Sequence, residues 1–265
     1  MNGLALAELD HVVVNTLRGM DHAAGVFAGL GFTMTPLGRH SLGSINHLMM
    51  TPTAYLELVG VPSEGRQRQE VLDSPFGLSG LVFKTSDADS TFARLERAHL
   101  RPAEPIAFSR PVEIDGASRE AKFRTVKVPR ELFPAGRVYF CEHQTPELVW
   151  RPEWLDHPNG FCGIDRIEIA SIAPEVDASL FAAAVGWPAV PSPHRWSVQL
   201  TDFRIDVVRA EAPRFVSMDL RFQGLDRLEA AATSLDGVEW RREADGTATI
   251  DIPSLELRIA CRSVQ

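Results

Sequence analysis

The sequence predicts an α+β fold built from four βαβββ units, paired into two domains. Three observations carry this expectation. A strand-like apolar run recurs four times, at residues 9–14, 81–84, 164–169 and 215–222, and each is followed by one helical stretch and then by further strand-like runs. Strands therefore outnumber helices by about three to one, which suits curled mixed sheets better than a doubly wound parallel sheet. Residues 151–160, rich in turn formers and without periodicity, mark the division, giving domains of residues 1–158 and 159–265. One such unit leaves a face of its curled sheet open, and two side by side close a pocket.

In the first unit the helix spans about residues 21–30, with Ala23, Val26, Phe27 and Leu30 on one face and Gly31 after its end. Strands are expected at 32–35, 46–50 and 55–61. The second unit has a helix capped near Ser86 or Asp87, carrying Ala88, Phe92 and Leu95, then strands at 106–109, 121–128 and 137–141. Turns fall at Asp115-Gly116 and Pro134-Ala135-Gly136. The third unit's helix runs from Pro174 to Val185, with proline at its start and Gly186 beyond it. Strands follow at 195–200 and 203–208. The fourth unit has a helix at 226–235 and strands at 238–242, 247–252 and 255–260.

Composition bounds the partners. The 265 residues carry a net charge of −8 and hold no dense Lys/Arg block, which argues against nucleic acid and anionic membrane surfaces. No apolar run approaches the roughly 18 residues needed to span a bilayer, and Met1 to Glu8 lack the pattern of a signal peptide. Three widely spaced cysteines, Cys141, Cys162 and Cys261, form neither a disulfide framework nor a Cys-x-x-Cys site. The expectation is a cytoplasmic protein with reduced thiols. There is no Gly-rich phosphate loop and no Gly-x-Ser-x-Gly motif.

Two runs carry chemistry: Leu9-Asp10-His11-Val12-Val13-Val14 and Tyr55-Leu56-Glu57-Leu58-Val59. Each sets a potential metal ligand among apolar neighbours, where a charged or unpaired polar group needs a partner. A shared divalent cation would supply one.

These runs, with the Leu30-Gly31-Phe32 helix exit and Gly43-Ser44-Ile45-Asn46, resemble the vicinal oxygen chelate superfamily, which contains glyoxalase I, extradiol dioxygenases and bleomycin-resistance proteins. More narrowly, they resemble its glyoxalase-like domain proteins. The resemblance implies two glyoxalase-like domains, with metal ligands on the first and last strands of the units facing one pocket. His11 and Glu57 match those positions. Unit two offers no ligand in Ser79-Gly80-Leu81-Val82-Phe83, while its last strand ends in Cys141-Glu142-His143. Alternation along a strand allows one of Glu142 and His143 to face the pocket, and a shared face with Tyr139 favours His143. The implied set is His11, Glu57 and His143 around a divalent Fe, Mn, Zn or Ni ion. The corresponding strands of the C-terminal pair contain carboxylates but no histidine, so the site is expected in the N-terminal half.

His47 and Glu142 are the candidates for acid–base work, and Asn46, Tyr55, Arg110 and Arg124 for binding a substrate, the arginines an anionic one. His40 and His157 read as loop residues that could cover the pocket mouth. The implied function is a metal-dependent lyase or isomerase that moves a proton on a small oxygenated substrate, or a dioxygenase. The alternative is a metal-free protein that sequesters a small molecule. With either, the C-terminal pair could serve as a structural module or build a homodimer.

Overall fold

The computed structural model describes residues 6–114 and 116–264; Met1 to Ala5, Gln265 and Asp115, half of the expected Asp115-Gly116 turn, lie outside them. The first half runs β1 (Leu9–Leu17), α1 (Met20–Gly29), β2 (Gly38–Arg39), β3 (Ile45–Met50), β4 (Tyr55–Gly60), α2 (Gln69–Leu72), β5 (Gly77–Lys84), α3 (Ala88–Arg97), β6 (Ile106–Ile114), β7 (Ala117–Lys127) and β8 (Arg137–His143). The second half runs β9 (Phe161–Ser171), α4 (Pro174–Val185), β10 (Ala189–Ser192), β11 (Arg195–Gln199), β12 (Arg204–Arg209), β13 (Arg214–Phe222), α5 (Asp226–Thr233), β14 (Glu239–Arg242), β15 (Ala248–Ile252) and β16 (Leu257–Ser263).

Each half forms one eight-stranded sheet, ordered β2-β3-β4-β1-β5-β8-β7-β6 and β10-β11-β12-β9-β13-β16-β15-β14. The first strands of two units pair antiparallel at the centre, and each is flanked by its own last strand, running parallel. The strand expected at residues 32–35 is absent, and only Gly38 and Arg39 pair there. Phe32 turns into the core against Phe27, Phe161 and Phe222, and Thr33 bonds to Asp156 and His157 of the connecting segment rather than to a ladder. Among the described residues, no helix is long and apolar enough to cross a membrane.

All four first strands share one irregularity. The β1–β5 ladder slips so that Asp10 and Ser79 are unopposed, and the β9–β13 ladder slips so that Asp165 and Val216 are. These are β-bulges, which bend a strand and re-aim side chains. The next residue in each unit is His11, Gly80, Arg166 or Ser217, and the ladders place Glu57, Tyr139, Asp206 and Ala260 at the matching point of the four last strands. The four units are therefore equivalent residue by residue at this level.

Alternation then sorts the faces. Val12, Leu56, Leu81 and Val138 of the first sheet join Ile167, Ile205, Met218 and Ile259 of the second in one continuous apolar core with α1 and α4. The other face of the first sheet carries a smaller cluster, including Val13, Tyr55, Val82, Phe123 and Cys141, and forms a cup. Its edges meet: the Ser41 N–H donates to the Ser109 carbonyl at 2.9 Å, and the Ser109 N–H to Ser41 Oγ at 3.3 Å. Among the described residues, no hydrogen bond joins the corresponding edges β10 and β14 of the second sheet.

Candidate functional site

The bulge at Asp10 lets two consecutive side chains serve one site. Asp10 Oδ1 accepts from His11 Nδ1 at 2.6 Å, and His11 Nε2 faces Glu57 Oε2 at 3.4 Å and the Tyr139 hydroxyl at 3.3 Å. The Tyr55 ring stacks on the imidazole, with centroids 4.4 Å apart. Glu57 Oε1 accepts from Asn46 Nδ2 at 2.7 Å. All of these groups except Tyr139 are buried, and Tyr139 is half-buried. Burial alone would drive His11 down and the carboxyls up. The hydrogen bonds and charges within the group outweigh it, pushing His11 up to about 9 and Glu57 down to about 2, with Asp10 lower still.

His40 lines the same cup, its Nδ1 hydrogen-bonded to Ser44 Oγ at 2.9 Å. Burial, helped by Arg110 and Arg68 and opposed by Glu57, lowers it to about 4, so it is neutral at pH 7. Phe108 and Phe123, stacked at 5.1 Å, form an apolar wall. The enclosed space is small, about 30 Å³.

The sequence-expected residues divide. His11, Asn46, Tyr55, Glu57 and Arg110 line the cup together. His143 shares the face of Tyr139, but its Nε2 lies 3.1 Å from Asp10 Oδ2 rather than beside Glu57. His143 is four residues beyond Tyr139, roughly 13 Å along the strand, which carries it past the pair. Donor atoms of Asp10, Cys141 and His143 come within 4.8 Å of one another and form a second cluster of potential ligands.

Three expected site residues point elsewhere. His47 lies between the cup-facing Asn46 and Leu48, and its Nδ1–H donates outward to the Thr35 carbonyl at 2.7 Å. Glu142, on the reverse face of β8, accepts from the Ala88 N–H at the start of α3 at 3.0 Å. Arg124 is engaged by Asp89 at 2.7 and 2.8 Å outside the cup. His157 clasps the connection between the halves, accepting from the Thr33 N–H and donating to the Met50 carbonyl. The cup residues given no role by sequence reasoning include Asp10, Arg68, Phe108, Phe123, Arg137 and Tyr139; two polar residues in succession, Asp10-His11, were the available sign of a bulge.

A divalent ion can be tested against these donors. Ligand distances of about 2.0–2.2 Å put two tetrahedral ligands of one ion about 3.4 Å apart. That is the separation of His11 Nε2 and Glu57 Oε2, 3.4 Å, and the Tyr139 oxygen stands 3.3 Å from the same nitrogen. Asp10 on the far nitrogen matches the carboxylate that orients a metal-bound imidazole. These side chains fit a divalent ion. Gly80, the equivalent of His11 in unit two, contributes nothing, and a Cβ there would already press on Val13 at 3.2 Å.

Paired βαβββ units, curled sheets and a histidine–glutamate pair on the first and last strands of a unit define the vicinal oxygen chelate superfamily. Within it, residues 9–185 match the family model described as "Glyoxalase-like domain", and the chain belongs to that family. No curated protein matches the sequence. Among solved structures, a hypothetical protein from Staphylococcus aureus is similar over 98% of this chain and 100% of its own, with TM-score 0.71 and 13% identity. A xylose isomerase-like TIM barrel/4-hydroxyphenylpyruvate dioxygenase fusion protein aligns with 99% of this chain and half of its own, at TM-score 0.62 and 13% identity. A triple mutant of 4-hydroxymandelate synthase from Streptomyces coelicolor covers 98% of this chain and 93% of its own, at TM-score 0.54 and 12% identity. At these identities the likeness is one of fold.

Proposed function

We propose that the chain is a metal-dependent enzyme of the vicinal oxygen chelate type, moving a proton on a small oxygenated substrate held in the first cup. The observation that carries this reading is the convergence of His11 Nε2 and Glu57 Oε2 at 3.4 Å, with Asp10 fixing the far side of the imidazole. His11, Glu57 and the Tyr139 oxygen would hold a divalent Fe, Mn, Zn or Ni ion, which when bound supplies Lewis acidity to a substrate oxygen.

The chain's own groups do the rest. Asp10 accepts from Nδ1 of the protonated His11, so an ion bound in the cup would take the place of the proton on Nε2. Asn46 pins Glu57 through Oε1, leaving Oε2 directed at the site. With Nδ1–H donated to Ser44, His40 presents an unprotonated Nε2 and is the proposed general base, in place of His47. The Phe108–Phe123 wall and the joined sheet edges exclude bulk water. Two fold neighbours described as a dioxygenase fusion and a synthase make enzymatic use of this fold a reasonable analogy.

Metal analysis of protein purified without chelator tests this. A stoichiometric ion retained by the native chain and lost in His11→Ala and Glu57→Gln supports it. No binding after reconstitution with iron, manganese, zinc and nickel in turn would sink it. That outcome favours a metal-free binding protein, a reading supported by Gly80 at the vacant ligand position and by the direct pairing of His11 with Glu57.

A further inference from the structure

The cup contains two buried guanidinium groups that make no direct ion pair, although the charges of Glu57 and Glu70 are felt at Arg110 and Arg137 respectively. Arg110 is 3% exposed and Arg137 8%, yet among the described residues neither guanidinium has a carboxylate partner. In both, Nε and Nη2 are buried and make no hydrogen bond. Other half-buried arginines have partners: Arg68 is bound by Glu70, Arg166 by three carboxylates, and Arg94 donates to the Ala184 carbonyl. An isolated buried charge is costly, and fold stability alone gives no reason to keep two of them at one cavity.

The surroundings are built to keep Arg110 there. Gly38 has no Cβ, and one added would lie 2.3 Å from Asn46 Oδ1, 3.0 Å from Arg110 Nη1 and 3.1 Å from Arg110 Cδ. Asn46 Oδ1 is itself buried without a partner. Arg110 enters from β6 and Arg137 from β8, while the Phe108–Phe123 pair walls the same cavity. The site therefore offers two positively charged forks beside an apolar surface. Guanidinium forks match the planar, two-oxygen geometry of a carboxylate.

We infer that Arg110 and Arg137 bind the carboxylate of a small organic acid, whose short apolar body lies against Phe108 and Phe123. This names the substrate class of the cup proposed above and rests on that reading for catalysis. Binding itself does not require the ion, so the two ideas fail separately. A phosphate monoester would meet the same positive charge, but the apolar wall and the narrow cavity favour a carboxylate.

The test uses full-length protein stripped with chelator. Its melting temperature is measured against acetate, butyrate, pyruvate, malonate and inorganic phosphate at constant ionic strength, and affinities are then taken by calorimetry. The expected result is a saturable rise with at least one carboxylate, larger than with phosphate. Arg110→Met and Arg137→Met should each weaken that binding by about ten- to a hundredfold, the usual worth of a hydrogen bond to a charged group. The same variants should melt no lower than the native chain without ligand, because each removes an unpaired buried charge; a purely structural arginine would give the opposite. Arg110→Lys should recover part of the affinity. The inference is overturned if no carboxylate binds saturably, if phosphate binds better than every carboxylate, or if both methionine variants bind as the native chain does. Should a methionine variant fail to fold, the native titrations and Arg110→Lys still decide it.

Discussion

The two cups carry the same layout and opposite chemistry. His11 and Glu57 in the first occupy the positions of Arg166 and Asp206 in the second, one residue past an equivalent bulge that bears an aspartate in both. In the first cup the cation is an imidazole that meets Glu57 at 3.4 Å, next to a cavity. In the second it is a guanidinium, 3.1 Å from Asp206, 3.0 Å from Asp219 and 3.0 Å from Glu168. Asp219 also engages Arg262, and Asp206 also engages Arg204. Four of the five N–H donors of Arg166 are taken by the three carboxylates, leaving one for anything else. The duplication has given one unit pair an open site and the other a closed structural clamp.

The largest expected effect lies in the clamp. Arg166→Leu leaves Asp206 and Asp219, both essentially inaccessible, with much of their neutralisation gone, and should cost about 3–5 kcal/mol in urea unfolding. His11→Ala should cost less while abolishing metal retention. If both substitutions cost the same, the contrast between clamp and open site is broken. Next comes Asn46→Ala, which removes the donor to Glu57 Oε1 and should cost about 1.5–3 kcal/mol, with a loss of metal affinity that no second-cup substitution reproduces.

The smallest effect is on pH. No histidine lies in the strands of the second sheet, whereas His40 in the first cup is lowered from 6.5 to about 4. Between those values the unfolded chain takes up a proton that the folded chain does not, so this contribution is present above pH 6.5 and lost as pH falls through about 4. Unfolding free energies measured from pH 6.5 to 4, below the range where the raised His11 acts in the opposite sense, should slope downward, and less so in His40→Gln. An unchanged slope would place the acid sensitivity elsewhere.

Much of this was readable before the fold. Alternation and turn formers reveal the four units, and the matching places of His11 and Glu57 in first and last strands foretell that they meet. The losses have physical causes. Strict alternation puts Asp10 on the opposite face from His11, and only the bulge, a matter of ladder register, brings both to the cup. For Glu142 and His143 alternation held, but distance along β8 decided which neighbour His143 met. Residues 32–35 have strand composition, yet Phe32 bonds back to Phe27 and the connecting segment captures Thr33, leaving only Thr35 bonded to β3. His40 reaches the cavity through loop closure, which leaves no periodic trace, whereas Arg137 shares the face of Tyr139 by simple alternation along β8.

The continuous apolar core has a further consequence, for cooperativity. Phe32 of the first half packs directly against Phe161 and Phe222 of the second, at 5.2 and 6.1 Å between ring centroids, within one apolar cluster. The halves then share one unfolding transition, and any free energy gained in the first cup is distributed to both. A ligand that touches only β1, β4 and β8 would slow amide exchange in β9 and β13 as well. The clamp, remote from the site, would report on its occupancy.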